Sequence, residues 1–359
     1  MELNSEEKKL VFKFLHNLKT DTTEKLTWKE KTNSSILIVD GTNLFIRGWS
    51  ATPSMDDNGN HVGGIVASLK SLGYALKLIC PTRCIVVFDG VGGSFKRRQL
   101  YSDYKAHRKN TIRLNRSYDD LVNATTEEEN CKKQYLRFIQ YLQTLPVNIL
   151  SIDHVEADDV IAYLATDHFK SSPKVFIMSS DKDFLQLCSK NINVYSPTKK
   201  RIYGVSDVLT EYNIHPNNFI LFRSMDGDDS DNINGIHGAG LKTVVKHFPW
   251  LNEEIEHTLQ EIITQAEGLR NKYKVCNNIV EGQSIINRNI ELMQLKNTAL
   301  TTIAQLHCNE CLETEKIPLL DKGSFYRLIQ EDLMESTFPD YFYWVDKCFS
   351  GLDAVIRKE

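Results

Sequence analysis

The chain has 359 residues, with 43 Lys+Arg against 47 Asp+Glu, 41% hydrophobic and 25% charged. This is the composition of a globular protein with a real core and one or two domains, and it excludes collagen-like, intrinsically disordered and membrane-embedded classes. No uncharged apolar run approaches the ~20 residues of a bilayer span, and the start MELNSEEKK lacks the apolar stretch of a secretory signal, so a cytoplasmic protein with no membrane partner is expected. The eight cysteines then read as reduced thiols, and the single C-x-x-C pair, Cys308/Cys311 beside His307, as ordinary thiols rather than a zinc site. A net charge of −4 argues against polyanion binding by the whole surface and leaves local patches to decide.

Residues 1–33 read as an N-terminal extension, polar except for an apolar helical face of Leu10, Val11, Phe14, Leu15 and Leu18. Short β-branched runs follow at 36–39, 85–88, 147–152, 175–178 and 192–195, and helical periodicity falls between them at about 63–79, 131–145, 157–169 and 182–188. Such alternation predicts an α/β fold with a mainly parallel central sheet and helices on both faces, because parallel neighbours need a crossover. Every strand then ends on one edge, which is where open parallel sheets bind ligands.

Acidic residues recur at those strand ends: Asp40, Asp89, then Asp153, Glu156, Asp158 and Asp159, then Asp181 and Asp183. Helix capping explains any one of them alone; four strand ends together predict a convergent cluster. Two such charges ~4 Å apart repel by about 4 kcal/mol at an effective dielectric of 20, so the site must take up protons or cations. An all-oxygen donor set without His or Cys suits Mg²⁺ or Mn²⁺, and a pair of ions about 4 Å apart suits phosphodiester hydrolysis.

Directly after the second strand end, segment 94–116 carries eight Lys/Arg against Asp103, interleaved with Tyr101 and Tyr104. It suits single-stranded nucleic acid, with cations on phosphates and tyrosines for stacking. Segment 227–242, G-D-D-S-D-N-I-N-G-I-H-G-A-G-L-K, places Gly235, Gly238 and Gly240 in a tight interhelical turn. Exposed N–H groups there can hold a phosphate, helped by Lys242 and Lys246. The turn follows Asp228 and Asp231 directly.

These motifs resemble, in order, those of the 5′-nuclease family, which contains flap endonucleases, the 5′→3′ exonuclease domains of bacterial DNA polymerases, and bacteriophage 5′-exonuclease or ribonuclease H proteins. The carriers are I-L-I-V-D-G-T-N-L at 36–44, V-V-F-D-G at 86–90, Y-K-A-H-R at 104–108, V-E-A-D-D at 155–159, S-S-D-K-D-F-L-Q-L at 179–187 and G-D-D-S-D-N-I-N-G-I-H-G-A-G-L-K-T at 227–243. The stand-alone length is most similar to that of the phage enzymes.

The resemblance implies a PIN-like nuclease core over 34–205 with a helical arch at about 94–130. A helix-three-turn-helix duplex-binding region covers 206–300, its motif at about 219–248, and a C-terminal helical region covers 301–359. It implies a first metal on Asp89, Glu156 and Asp158, with Asp40 and Asp159 acting directly or through water, and a second on Asp181, Asp183, Asp228 and Asp231. Lys105 and Arg108 become the arch residues that stabilise the scissile phosphate. Lys96, Arg97 and Tyr104 join them, with the Gly235–Gly238–Gly240 turn and Lys242, as nucleic-acid contacts. Asp226 and Asp229 compete with their neighbours for the last ligand positions. The expected cofactors are two Mg²⁺ ions, with Mn²⁺ able to substitute, and a K⁺ at the helix-three-turn-helix. The expected substrates are DNA with a 5′ flap, nick or single-strand/duplex junction and RNA/DNA hybrids, cut in replication or repair, including RNA primer removal, alongside replication proteins. The alternatives are a catalytically silent structure-specific DNA-binding protein and an RNA-only PIN-type ribonuclease. The aromatic stretch F-P-D-Y-F-Y-W at 338–344 reads as core more than as a partner surface.

Overall fold

The computed structural model describes residues 33–106, 124–298, 300–313 and 317–357. Six strands form the central sheet: β1 (Ser35–Asp40), β2 (Arg83–Asp89), β3 (Asn148–Ile152), β4 (Lys174–Met178), β5 (Ile192–Ser196) and β6 (Arg201–Tyr203). Their order is β3-β2-β1-β4-β5-β6, parallel throughout except for β6, which runs antiparallel to β5 at the edge. All five sequence-derived strands are present within two residues of their expected limits, and β6 is an addition.

The strand order reverses between β1 and β4, so the crevice at their carboxyl ends is the ligand site that topology dictates. Asp40 ends β1 and Asp89 ends β2. The β1 strand is buried along its whole length, and its alternating side chains feed two cores: Ile36 and Ile38 on one face, Leu37 and Val39 on the other.

On the second face lie α1 (Gly41–Ala51), α2 (Gly63–Ile79) and α4 (Ala124–Gln143). The short α3 (Phe95–Leu100) leaves β2 toward the basic segment, and α5 (Ala157–Tyr163) covers the first face. The expected helix at 63–79 is α2. The one expected over 157–169 divides into α5 and a single π-helical turn, Leu164–His168, while 182–188 is the 3₁₀ turn Lys182–Leu187. The α1 helix lacks an advance signal because its cap is Asp40 itself, whose Oδ1 accepts the Asn43 N–H at 2.9 Å.

Beyond the sheet come α6 (Val205–Tyr212), α7 (Phe219–Asp226), α8 (Leu241–His247), α9 (Leu259–Leu269), α10 (Lys274–Glu281) and α11 (Gln283–Met293). The chain between α7 and α8 folds as tight turns with a two-residue strand pair, Gly227–Asp228 against Ile233–Asn234. Gly227 (φ +80°) and Gly238 (φ +86°) adopt left-handed backbone there, and a Cβ on Gly235 would lie 2.2 Å from the Asp226 carbonyl oxygen. Buried Asn289 of α11 fastens this turn by donating to the carbonyls of Ser224 (2.8 Å) and Asn234 (2.9 Å).

The last helices divide between the faces. α12 (Thr302–Glu313) packs against the first core, while α13 (Lys322–Glu331) and α14 (Tyr341–Ile356) join the second. Cys308 is buried in α12. Within 338–344, Phe338 and Tyr341 are core, whereas Phe342 (52%) and Tyr343 (65%) are exposed. Among the described residues no helix is long and apolar enough to cross a membrane.

Gly90 follows Asp89 where β2 leaves the sheet, and a Cβ on it would sit 1.8 Å from the Ile152 carbonyl oxygen. That approach holds the end of β2 against the β3–α5 loop. Gly90→Ala is therefore expected to cost about 1–3 kcal/mol of stability, read as a lower urea midpoint at unchanged m-value; an unshifted midpoint contradicts the steric argument.

Candidate active site

Four strand ends and one interhelical turn bring the carboxylates together. Asp40 sits at the switch point, 5% exposed, and its Oδ2 accepts the buried Ser179 hydroxyl at 3.0 Å. The Ser179 Oγ in turn accepts the Asp181 N–H at 3.1 Å, so β1 and β4 deliver their acids to one place. Asp89 accepts the first N–H of α5, that of Ala157, at 2.9 Å, which ties the second strand end to the Glu156–Asp159 group. Capping and clustering are both real. Asp40, Asp181 and Asp228 each cap the turn after them through Oδ1, and at Asp40 and Asp228 the Oδ2 atom points to a different partner.

Three cations are woven into the acids. The Arg97 guanidinium holds Asp159 bidentately, at 2.8 and 2.9 Å, bonds Glu156, and donates Nε–H to the Leu292 carbonyl at 2.8 Å. Lys105 reaches Glu156 Oε1 at 2.7 Å. Arg223, 3% exposed on α7, joins Asp183 and Asp228 at 2.6 Å each and bonds the Gly227 carbonyl at 2.9 Å. The sequence reading did not single out Arg223; a lone cation inside the apolar helix F-I-L-F-R-S-M-D was the available signal.

Tyr104 needs a correction. Read as a stacking platform, it is instead 3% exposed, its ring packed with Ile220, Ile233, Leu292 and Met293. Its hydroxyl donates to Glu156 at 3.1 Å and lies 3.5 Å from Asp231, so it bridges the two acidic groups and offers no face to a base. Tyr101 lies under the Arg288 guanidinium, 4.1 Å from the ring centre. Lys96 and Lys242 are exposed, and Lys242 follows the Gly235–Gly238–Gly240 turn. Asp226 lies 3.5 Å from Arg223, and Asp229 is exposed. Arg108 lies outside the described residues, as do 1–32 and 107–123.

The electrostatics separate an outer group from an inner one. Burial alone would raise Glu156, but Lys105 and Arg97 hold it below the usual range. Asp228 is also held low, by Ser230 and Arg223 against its burial. Asp40, Asp158 and Asp181 make no ion pair with any described residue. Burial, reinforced by Asp89, lifts Asp40 to about 6, and burial with repulsion from Asp183, Asp228 and Asp231 lifts Asp181 to about 8. Asp158 is raised strongly by burial and by Asp40 and Asp181.

Among the described residues no three ligating side chains close into a ready metal cage, and three cations hold the outer carboxylates. The donor set still fits a hard divalent ion: it is all carboxylate oxygen, it faces the crevice, and its inner members, raised in proton affinity and without an ion-pair partner among the described residues, can exchange protons for a cation.

The 5′-3′ exonuclease N-terminal resolvase-like domain matches residues 35–213. The 5′-3′ exonuclease of Aquifex aeolicus is 31% identical over 212 residues, 59% of this chain and 68% of that protein. Bacteriophage T5 5′-exonuclease with divalent zinc bound shares the fold at 22% identity and TM-score 0.57, over 83% of this chain and 98% of the other. The T5 flap endonuclease in a complex with DNA and metal ions does so at 20% identity and TM-score 0.56, over 85% and 100%. The chain belongs to the 5′-3′ exonuclease family. It is a nuclease of the 5′-3′ exonuclease type, a hydrolase.

The raised carboxyls keep protons in the folded protein that the unfolded chain, at the usual 3.8, has already lost. Stability of the metal-free protein therefore falls as pH rises from about 4 toward about 8. Asp181→Asn removes one such group, so in EDTA it is expected to be more stable than wild type by about 1–3 kcal/mol at pH 8 and by little at pH 4.5. Urea melts at the two pH values check this; a pH-independent difference contradicts it.

Proposed function

We propose that the protein is a Mg²⁺-dependent, structure-specific 5′ nuclease acting on 5′ flaps, nicks and single-strand/duplex junctions, and on RNA/DNA hybrids where RNA primers are removed during replication or repair. The observation that carries the reading is the convergence of carboxylates from β1, β2, β4, the β3–α5 loop and the 228–231 turn on one crevice bordered by Arg97 and Lys105. A purely DNA-binding protein has no use for such negative charge opposite phosphate.

Asp89, Glu156 and Asp158, with Asp40 and Asp159 nearby, would hold one Mg²⁺ or Mn²⁺, and Asp181, Asp183, Asp228 and Asp231 a second. Such ions, when bound, supply an activated water and stabilise the departing 3′ oxygen. The chain's own residues do the rest. Lys105, at the base of the arch, turns from Glu156 to an equatorial phosphate oxygen and offsets the charge that develops there, with Arg108 as a second donor. Arg97 holds Asp159 and Glu156 in place and borders the path of the strand, with Lys96 beside it. Arg223 fixes Asp183 to Asp228 across two elements, so that these ligands need no reorganisation. Gly235, Gly238, Gly240 and Lys242 supply backbone N–H groups and charge for the downstream duplex, with K⁺ as a further ligand of that turn. The similarity to T5 structures solved with metal ions and DNA supports this reading at the level of fold.

The test is cleavage of labelled 5′-flap, nicked and RNA/DNA substrates with Mg²⁺ or EDTA. Asp89→Asn and Asp181→Asn are each expected to lower turnover by at least about 10²-fold while DNA affinity in EDTA changes little, and Lys105→Ala to lower kcat by about 10²-fold. Near-normal turnover of either Asp variant at saturating Mg²⁺ refutes the mechanism. Tight junction binding without cutting by wild type refutes the nuclease reading of this particular chain.

A further inference from the structure

A cavity of about 420 Å³ opens next to the carboxylates, between α3, the loop after β3, and the end of α11 with the residues that follow it. Its volume falls within the ~300–1,000 Å³ of small-molecule sites. The Arg97–Asp159 ion pair lines the cavity on one side and belongs to the acidic group on the other, and Arg97 is fixed to α11 through the Leu292 carbonyl. Leu100, Ile290 and Leu300 supply apolar walls, Gln294 and Asn297 supply amides, and Lys96 supplies a cation.

We infer that this cavity holds one nucleotide unit, a base with its phosphate, from the 5′ end of the strand being cut. The inference rests on the nuclease reading above and deepens it. Apolar walls suit the faces of any base; the Asn297 amide both donates and accepts, while Gln294, whose Oε1 accepts the Lys296 N–H at 3.0 Å, offers its amide N–H, so together they meet purine and pyrimidine edges without selecting among them. Arg97, bonded to Asp159 and Glu156, lies on the side facing the carboxylates, where the linking phosphate must be, and Lys96 adds a second cation to the cavity wall. Glu291, also on the cavity wall, repels a run of phosphates and limits the site to a single unit.

Position supports the same occupant. The glycine turn meets the start of α11, where Ile236 packs on Gly282, and the cavity lies at the far end of that helix, ~16 Å away at 1.5 Å per residue. The acidic turn lies alongside, its Ile233 clustered with Leu292 and Met293. A strand whose duplex rests on the glycine turn, and whose scissile phosphate lies at the carboxylates, delivers its next nucleotide to the cavity.

The test uses nicked DNA carrying 2-aminopurine as the 5′-terminal base. In EDTA, wild-type protein is expected to raise its fluorescence by unstacking that base. Leu100→Trp, which fills the cavity, and the double variant Gln294→Ala with Asn297→Ala, which removes the amides, are each expected to lose most of the rise while anisotropy still reports bound DNA. With Mg²⁺, the ratio of single-nucleotide release at the nick to cutting within a long 5′ flap is expected to fall about tenfold. Free 2-aminopurine deoxynucleoside monophosphate tells the source. A saturable signal lost in Leu100→Trp shows that the site also retains released product, and no signal shows that it takes only the strand end; both support the site. An unchanged fluorescence rise and an unchanged ratio in both variants overturn it. Failure of wild type to cut either substrate refutes the nuclease reading instead, so the two failures are separable.

Discussion

Like charge at one sheet edge is the constraint to which the rest of this structure answers. At an effective dielectric of 20, each close carboxylate pair costs about 4 kcal/mol, against a domain stability of about 5–15 kcal/mol. The chain meets this cost differently in two zones. The outer acids Glu156, Asp159, Asp183 and Asp228 are held by Arg97, Lys105 and Arg223. The inner acids Asp40, Asp158 and Asp181 make no ion pair among the described residues, and burial raises their affinity for protons, as it also does that of Asp183 despite Arg223. Carboxyls crowded enough to hold protons are also the ones whose protons a divalent ion can displace, which makes the crevice attractive to such ions.

The basic segment after β2 enters the same network. Lys105 adopts left-handed backbone at φ +56°, a conformation that costs of the order of 1 kcal/mol or more for a residue with a Cβ. Its N–H donates to the Asp231 carbonyl at 2.9 Å, and Asn232 donates to the Asp103 carbonyl at 2.9 Å. With the buried Tyr104 bridging Glu156 and Asp231, the start of the basic segment is fastened to both acidic groups. With the backbone in this conformation the Lys105 ammonium meets Glu156 Oε1 at 2.7 Å.

The sheet was legible because its strands are short β-branched runs bounded by turn residues, and the acid cluster because a parallel topology forces strand ends together. Four features escaped for physical reasons. The α1 helix starts on a catalytic-type aspartate, so its cap looked like a ligand. β6 is three residues long and runs from exposed Arg201 to buried Tyr203, too short to show an alternation in its sequence. Tyr104 is polar by residue type and sits in a basic run, which concealed a ring buried among Ile220, Ile233 and Leu292. Arg223 finds Asp183 forty positions away in the sequence, and no local periodicity reports such a contact.

Under the proposed function, the same residues would link metal, substrate and the basic segment. A divalent ion that takes Glu156 competes with Lys105 for that carboxylate, and a phosphate that takes Lys105 releases the carboxylate to the ion. Under the proposed function, each ligand therefore tightens the binding of the other, as thermodynamic linkage requires. Arg223 is placed differently. It is fixed by the Gly227 carbonyl as well as by Asp183 and Asp228, and at 3% exposure it has no route to a phosphate. One half of the site thus exchanges cations when substrate arrives, while the other keeps its counter-ion and serves as the fixed side against which the strand is aligned.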